Sequence, residues 1–360
     1  MKNLLIVLIC FLSIWANAQD FHALVYFTDK PNTVASLTNL QTILTQRAID
    51  RKARHNIPID DRDMPINQSY VAQIKSQSGI SYQAQSKWFN CVHVVGGTTD
   101  IDALANLSFV SSIDYTDPTK SASRSHQDKF TSTVTTPLVY GTARNQIEMI
   151  GLHDLHNTGN AGLGMLIAVT DSGFPNVDAN SGFAQLRANN GIAGGWDFVD
   201  RDATIYEDHY HGARVLSVMA GNDPGNVEGT APDAQYYLFR TEEASQETPA
   251  EMSYWVQAAE RADSLGVDVI NVSLGYLGFD NPAENLDYQD MNGITAFISQ
   301  GTNVAFEKGI IVVTSAGNSG NTTVHPYNAA PADAFGAFSI GSVTATEVQS
   351  SFSSIGPTVD

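Results

Sequence analysis

Short unbroken apolar runs alternate with helix-periodic segments through the second part of this chain. The clearest run is Met165-Leu166-Ile167-Ala168-Val169-Thr170. Six apolar or small residues in a row predict a strand buried on both faces, as in a parallel sheet. The chain then breaks at Asp171-Ser172-Gly173. Residues 267–272 and 310–314 are runs of the same kind, and 234–240 and 338–343 also read as strands. Between them lie three helical patterns. The first starts at His211 and closes at Gly221. The second, 250–265, turns Met252, Trp255, Val256, Ala259 and Ala262 to one side. The third, 294–308, is stopped by Gly309. Residues 191–202 read as a Gly-rich excursion. The alternation predicts a parallel sheet covered by helices on both faces.

The first part of the chain has a different texture. Residues 22–27 read as a strand and 33–54 as a helix rich in Leu, Ile and Ala. Residues 80–86 and 88–95 read as two strands. Asp100 reads as the cap of a short helix through Leu104 and Leu107, and 109–114 as a last strand. The order β-α-β-β-α-β is the ferredoxin-like arrangement. Residues 118–138 are rich in Thr, Ser, Lys and Pro without an apolar period, and read as a linker open to proteolysis.

Charge sharpens this division. The net charge is −19. Residues 19–120 hold 9 Lys/Arg against 10 Asp/Glu, whereas 121–360 hold 9 against 28, so a near-neutral unit precedes a strongly acidic one. That balance argues against nucleic acid as a partner and for a soluble exported product. Residues 1–18 fit a secretory signal peptide: Lys2, an apolar run from Leu4 to Trp15, and the small-residue site Ala16-Asn17-Ala18. The run is shorter than the ~20 residues a membrane span needs, and no other segment could span. Cys10 leaves with the signal, so Cys91 is the one thiol of the mature chain, without an internal disulfide.

Three polar residues stand at predicted strand or helix ends: Asp171, His211 and Asn318. Taken alone, Asp171 either caps a turn or orients a neighbour. A His at a helix start beside a carboxylate can serve as a general base whose tautomer the carboxylate fixes. An Asn on a Gly-flanked loop can direct its side-chain amide at a developing oxyanion.

These segments resemble the subtilisin-like serine proteases. Ile167-Ala168-Val169-Thr170-Asp171-Ser172-Gly173 is similar to the family's aspartate motif. His211-Gly212-Ala213-Arg214-Val215 is similar to its histidine motif, with Ala213 where Thr is usual. Gly229-Thr230-Ala231-Pro232-Asp233-Ala234, Val272-Ser273-Leu274-Gly275 and Ser315-Ala316-Gly317-Asn318 follow in family order. The resemblance implies an α/β fold: a subtilisin-like parallel sheet flanked by helices, here incomplete, preceded by a small α+β ferredoxin-like propeptide domain. It implies domains at 1–18 (signal), 19–117 (propeptide), 118–138 (linker) and 139–360 (catalytic, truncated at its C-terminal side). It assigns Asp171, His211 and Asn318 to catalysis. Ser273, Leu274, Gly275, Ser315, Ala316 and Gly317 would bind substrate. The partners implied are polypeptide substrates and the chain's own propeptide domain as inhibitor.

One departure is large. The family's nucleophile lies in a Gly-Thr-Ser motif, and none follows Asn318. The expectation is a secreted protease precursor whose serine lies beyond Asp360, so that these 360 residues alone are inactive.

Two other readings stay open. A non-catalytic secreted scaffold would keep the fold and lack the nucleophile. A metal-dependent hydrolase would use His153, His156, Asp171, His209 and His211, which are suitable ligand types. No cofactor is expected for catalysis. Structural calcium is an expectation, with Asp287, Asp290 and Asn292 forming an oxygen-rich loop before Gly293. Asp178, Asp200, Asp202 and Asp208 are a less defined set.

Overall fold

The computed structural model describes residues 20–31, 38–117, 139–223 and 225–359. The expected signal peptide and linker lie outside these residues.

The N-terminal unit contains β1 (Phe21–Phe27), α1 (Gln46–Arg54), α2 (Gln68–Lys75), β2 (Ile80–Ser86), β3 (Cys91–Gly96), α3 (Thr98–Ala103) and β4 (Val110–Tyr115). Its strands form an antiparallel sheet in the order β2-β3-β1-β4, as the ferredoxin-like reading requires. Strand residues alternate between faces. Ala23, Val25, Val92 and Val94 pack with Ile74 and Ile101 in the unit's own core. Leu24, Ala84 and Cys91 instead join the core of the following unit. Cys91 is a free, buried thiol.

Two expectations fail here. The helix expected over 33–54 is not continuous among the described residues. Leu40–Thr42 form a 3-10 turn, and α1 starts after it at Gln46, where Thr45 caps it: the Thr45 hydroxyl accepts the Ala48 N–H at 3.2 Å. Thr45 also donates its own N–H to Ser264 O, so the break is fixed by docking to the second unit. Asp100 is not a cap, since Gly97 holds that position and the Asp100 carboxylate lies against Gly79. Helix α2 has no counterpart among the elements the pattern predicts.

The second unit contains β5 (Leu166–Asp171), β6 (Ile192–Asp197), α4 (His211–Ala220), β7 (Gln235–Arg240), α5 (Pro249–Leu265), β8 (Val269–Val272), α6 (Phe297–Glu307), β9 (Ile311–Ser315) and β10 (Ala337–Ile340). The sheet is parallel throughout, in the order β10-β9-β8-β5-β7-β6. All six residues of β5 are buried, as its apolar run predicts. The chain leaves β5 toward β6 and β7 on one side and β8 to β10 on the other. Such a switch point opens a crevice at the carboxyl ends of the strands, and Asp171 closes β5 there. The Gly-rich stretch expected as an excursion contains the edge strand β6, paired with β7 through Trp196↔Phe239 and Asp197↔Arg240. An edge strand needs only one neighbour, so it need not carry an apolar run.

Helix α5 departs from its pattern in an informative way. One apolar face is expected, yet Glu251, Ser253, Glu260 and Asp263 are buried as well. Glu251 caps the start of the helix itself, whereas the N-terminal unit covers the other three: Ser253 and Glu260 face its sheet and Asp263 faces α1. The Glu260 carboxylate accepts hydrogen bonds from the Ser86 hydroxyl and from the N–H groups of Lys87 (3.0 Å) and Trp88 (2.9 Å). Gly266 ends α5 at φ 82°, and a Cβ there would lie 2.6 Å from Ala48 N. Only glycine satisfies both the left-handed cap and the close approach of α1.

Candidate active site

Asp171 is fully buried at the end of β5, and its carboxylate faces the first residue of α4. His211 Nδ1 lies 2.8 Å from Asp171 Oδ1 and 3.0 Å from Oδ2. The partner is an acceptor, so Nδ1 carries the proton and Nε2 is left as the basic nitrogen. The His211 side chain keeps 25% of its exposure, which leaves the ring open toward solvent on one side. Asp171 Oδ1 also accepts from Ser172 N (2.8 Å) and Ser172 Oγ (3.1 Å). These bonds pin the carboxylate before the imidazole is considered.

The sequence accounts for the contact. A Cβ on Gly212 would lie 2.4 Å from Gly173 O and 2.8 Å from Asp171 Cβ. Glycine after the histidine therefore lets the start of α4 press against the end of β5. Apolar Leu216 and Ala220, one and two turns on, bury the same face of α4.

Asn318 stands on an exposed loop three residues past the end of β9. β9 is two strands from β5, about 10 Å at usual strand spacing. The loop is fixed on both sides: Gly317 O accepts from Ser354 N at 3.0 Å, and Ser319 N donates to Ser354 Oγ at 3.0 Å. Ser273, Leu274 and Gly275 follow β8, and Ser315 pairs with Ile340 across β9 and β10. The carboxyl ends of β5, β8 and β9 thus carry Asp171, Ser273–Gly275 and Ser315–Asn318 on one rim.

The sequence places His209 only among the suitable metal ligands. Its Nδ1 lies 3.3 Å from both the His211 N–H and Ser172 Oγ, so it backs the Asp171–His211 pair from behind. The only sequence signal was its place two residues before His211. His156 turns away to Thr230 O at 3.0 Å, and His153 contacts Asp154 at 3.4 Å. The five-residue metal set is therefore not assembled: these two imidazoles are held elsewhere.

The residues of the expected calcium loop carry local hydrogen bonds. Asp287 Oδ1 accepts from Gln289 N, Asp290 Oδ2 from Asp287 N, and Asn292 Oδ1 from Ile294 and Thr295 N. These oxygens cap turns. Among the described residues, two carboxylate groups do converge: Asp197, Asp200 and Asp208, and Glu242, Glu247 and Glu251. Arg240 already occupies the first, at 2.7 Å from Asp197, 2.6 Å from Asp200 and 3.4 Å from Asp208. The second offers three oxygen donors of the kind calcium prefers. Its Glu242 also accepts the Tyr276 hydroxyl, and burial beside these carboxylates pushes the Tyr276 phenol up.

The family model "Subtilase family" matches residues 162–360, and "Peptidase S8 propeptide domain, Bacteroidota" matches residues 22–132. The chain belongs to the subtilase family. Among curated subtilase relatives, Thermitase of Thermoactinomyces vulgaris is 31% identical over 204 residues, 55% of this chain and 62% of that protein. Subtilisin NAT of Bacillus subtilis subsp. natto is 27% identical over 287 residues, 79% of this chain and 64% of that protein. The chain thus spans less than two thirds of either relative. The subtilase assignment carries the α/β fold with it, and the first unit is the propeptide domain of that family. Among the described residues, no helix is long and apolar enough to cross a membrane.

Proposed function

We propose that the complete protein is a secreted serine endopeptidase made as a precursor, cleaving peptide bonds by an Asp-His-Ser mechanism. The observation that carries this is the buried Asp171 carboxylate holding His211 Nδ1 at 2.8 Å. In this reading His211 Nε2 takes the proton of a serine hydroxyl as it attacks, then gives it to the leaving amine. Asp171 fixes the tautomer and stabilises the imidazolium without itself becoming protonated. Asn318 donates its side-chain amide to the oxyanion. Substrate lies as an added strand between Ser273–Gly275 and Ser315–Gly317. The N-terminal unit occupies the protease as its inhibitor until it is removed. The nucleophile is assigned to sequence outside these 360 residues, because no Gly-Thr-Ser occurs within them. Calcium, where present, is assigned a structural role.

Two measurements test the reading. The 360-residue chain should resist labelling by a serine-directed fluorophosphonate, while the full-length protein should be labelled. Stoichiometric acylation of the 360-residue chain would place the nucleophile inside it. Asn318→Ala in the full-length protein should lower kcat about 10²–10³-fold with little change in KM, the loss expected for one oxyanion donor. A pure KM effect would remove Asn318 from that role.

A further inference from the structure

We propose that His22 and His93 form an acid-sensitive latch, holding the N-terminal unit on α5 while neutral and releasing it when protonated. His93 sits mid-strand on β3, paired with Leu24 of β1 and Ala84 of β2. All three project from the face that docks on the second unit. His93 is 2% exposed, with Leu24, Ala84, Cys91 and Phe297 around it. Its Nδ1 lies 2.7 Å from Ser253 Oγ on α5, and its Nε2 lies 2.9 Å from His22 Nδ1. The two rings meet edge to face.

Proton accounting gives the latch its sign. In the neutral pair one N–H bridges the two rings, and the hydroxyl of Ser253 completes the chain as donor or acceptor. One added proton leaves these hydrogen bonds intact but puts a cation in an apolar interface. A second sets two N–H groups and two charges face to face at 2.9 Å. Asp114 of β4, opposite Leu24 on the same sheet face, is exposed to solvent, and the buried carboxylates nearby are engaged elsewhere. Glu260 holds Ser86, Lys87 and Trp88, Glu251 accepts from Glu243 N and Thr248 N, and Glu284 accepts from Thr116 Oγ. Tyr26 on β1 and Cys91 on β3 are pushed up by burial and stay neutral in acid.

Burial lowers His22 to about 4, and burial with the neighbouring ring lowers His93 well below its ordinary value. An undocked imidazole titrates near 6.5. Undocked rings therefore bind more protons than docked ones below that pH. Docking is fully retained above about pH 6.5 and is lost as pH falls toward 4. At pH 4.5 the His22 values alone correspond to weakening on the order of 10²-fold. Burial raises Glu260, which acts in the opposite direction. Asp63 resists burial because Lys52 and Lys308 hold it below the carboxylate range, so its contribution persists until pH falls under about 4.

The consequence for activation rests on the peptidase reading, but docking is tested without any activity. Amide exchange of Lys87, Trp88 and α5 is followed in the intact chain at pH 7 and 4.5, corrected for intrinsic exchange rates. Protection should fall about 10²-fold at pH 4.5 in the wild type, and less than about 3-fold in His93→Gln and His22→Gln. Wild-type protection that persists to pH 4.5, or an equal loss in the glutamine variants, would overturn the latch. Should a variant not fold, ring titration of the wild-type histidines by NMR decides. Rings that titrate near 6.5 without any loss of protection would equally refute it.

Discussion

Asp171→Asn in the full-length protein is expected to lower kcat about 10⁴-fold while leaving KM nearly unchanged. The effect turns on which nitrogen of His211 carries the proton. A carboxylate at 2.8 and 3.0 Å from Nδ1 can only accept. An asparagine there would offer its NH₂ to the same nitrogen, because Ser172 N and Ser172 Oγ already claim the oxygen side. The imidazole would then carry its proton on Nε2 and could not act as base. A merely structural Asp171 makes a different prediction: thermal stability would fall and catalysis by the surviving folded fraction would not. Steady-state kinetics on a peptide substrate, read beside the melting temperature, separates the two. A kcat loss below tenfold would contradict the orienting role.

The Asp171–His211 pair was legible because two local signals coincide in it. An unbroken apolar run names a central strand, and a carboxylate at its end stands where parallel sheets gather function. The glycine after His211 adds a steric reason that only the structure reveals: it clears Gly173 O and Asp171 Cβ. Asn318 was legible only as motif. Its loop is exposed and is fixed by Ser354, a residue 36 positions later. What stayed hidden has a common cause. Periodicity reports one buried face, and the second face of α5 is buried by strands more than 150 residues earlier in the chain. The same long-range docking broke the expected helix at Thr45 and concealed the roles of His22 and His93. Glycines hid the edge strand β6, because composition there resembles a loop while its single neighbour β7 supplies the pairing.

That docking surface yields the second large prediction. Asp263→Ala is expected to destabilise the chain by about 3–5 kcal/mol. Asp263 on α5 is fully buried and lies against two buried cations of α1, Arg51 and Lys52, with Lys52 Nζ at 2.8 Å. Lys52 also reaches Asp63 at 3.0 Å, and Asp63 reaches Lys308 at 2.8 Å. The network thus runs from one unit to the other and back. Desolvating these groups is expensive, so the intact set need not exceed an apolar contact in stability. Removing one anion is a different matter, since it leaves the buried Arg51 with backbone carbonyls of Val267 and residue 263 and no carboxylate partner among the described residues, and Lys52 with Asp63. Arg62–Glu307 provides the contrast at 2.6 Å, with exposures of 32% and 58%. Water screens that pair, and Glu307→Ala should change stability by less than about 1 kcal/mol. Urea denaturation of both variants, with the midpoint and slope fitted together, gives the comparison. Equal effects would mean that water reaches the network and that the two units separate at α1 in solution. A large effect at Asp263 alone, relieved when Arg51 and Lys52 are both replaced by Met, would locate the energy in the buried cations.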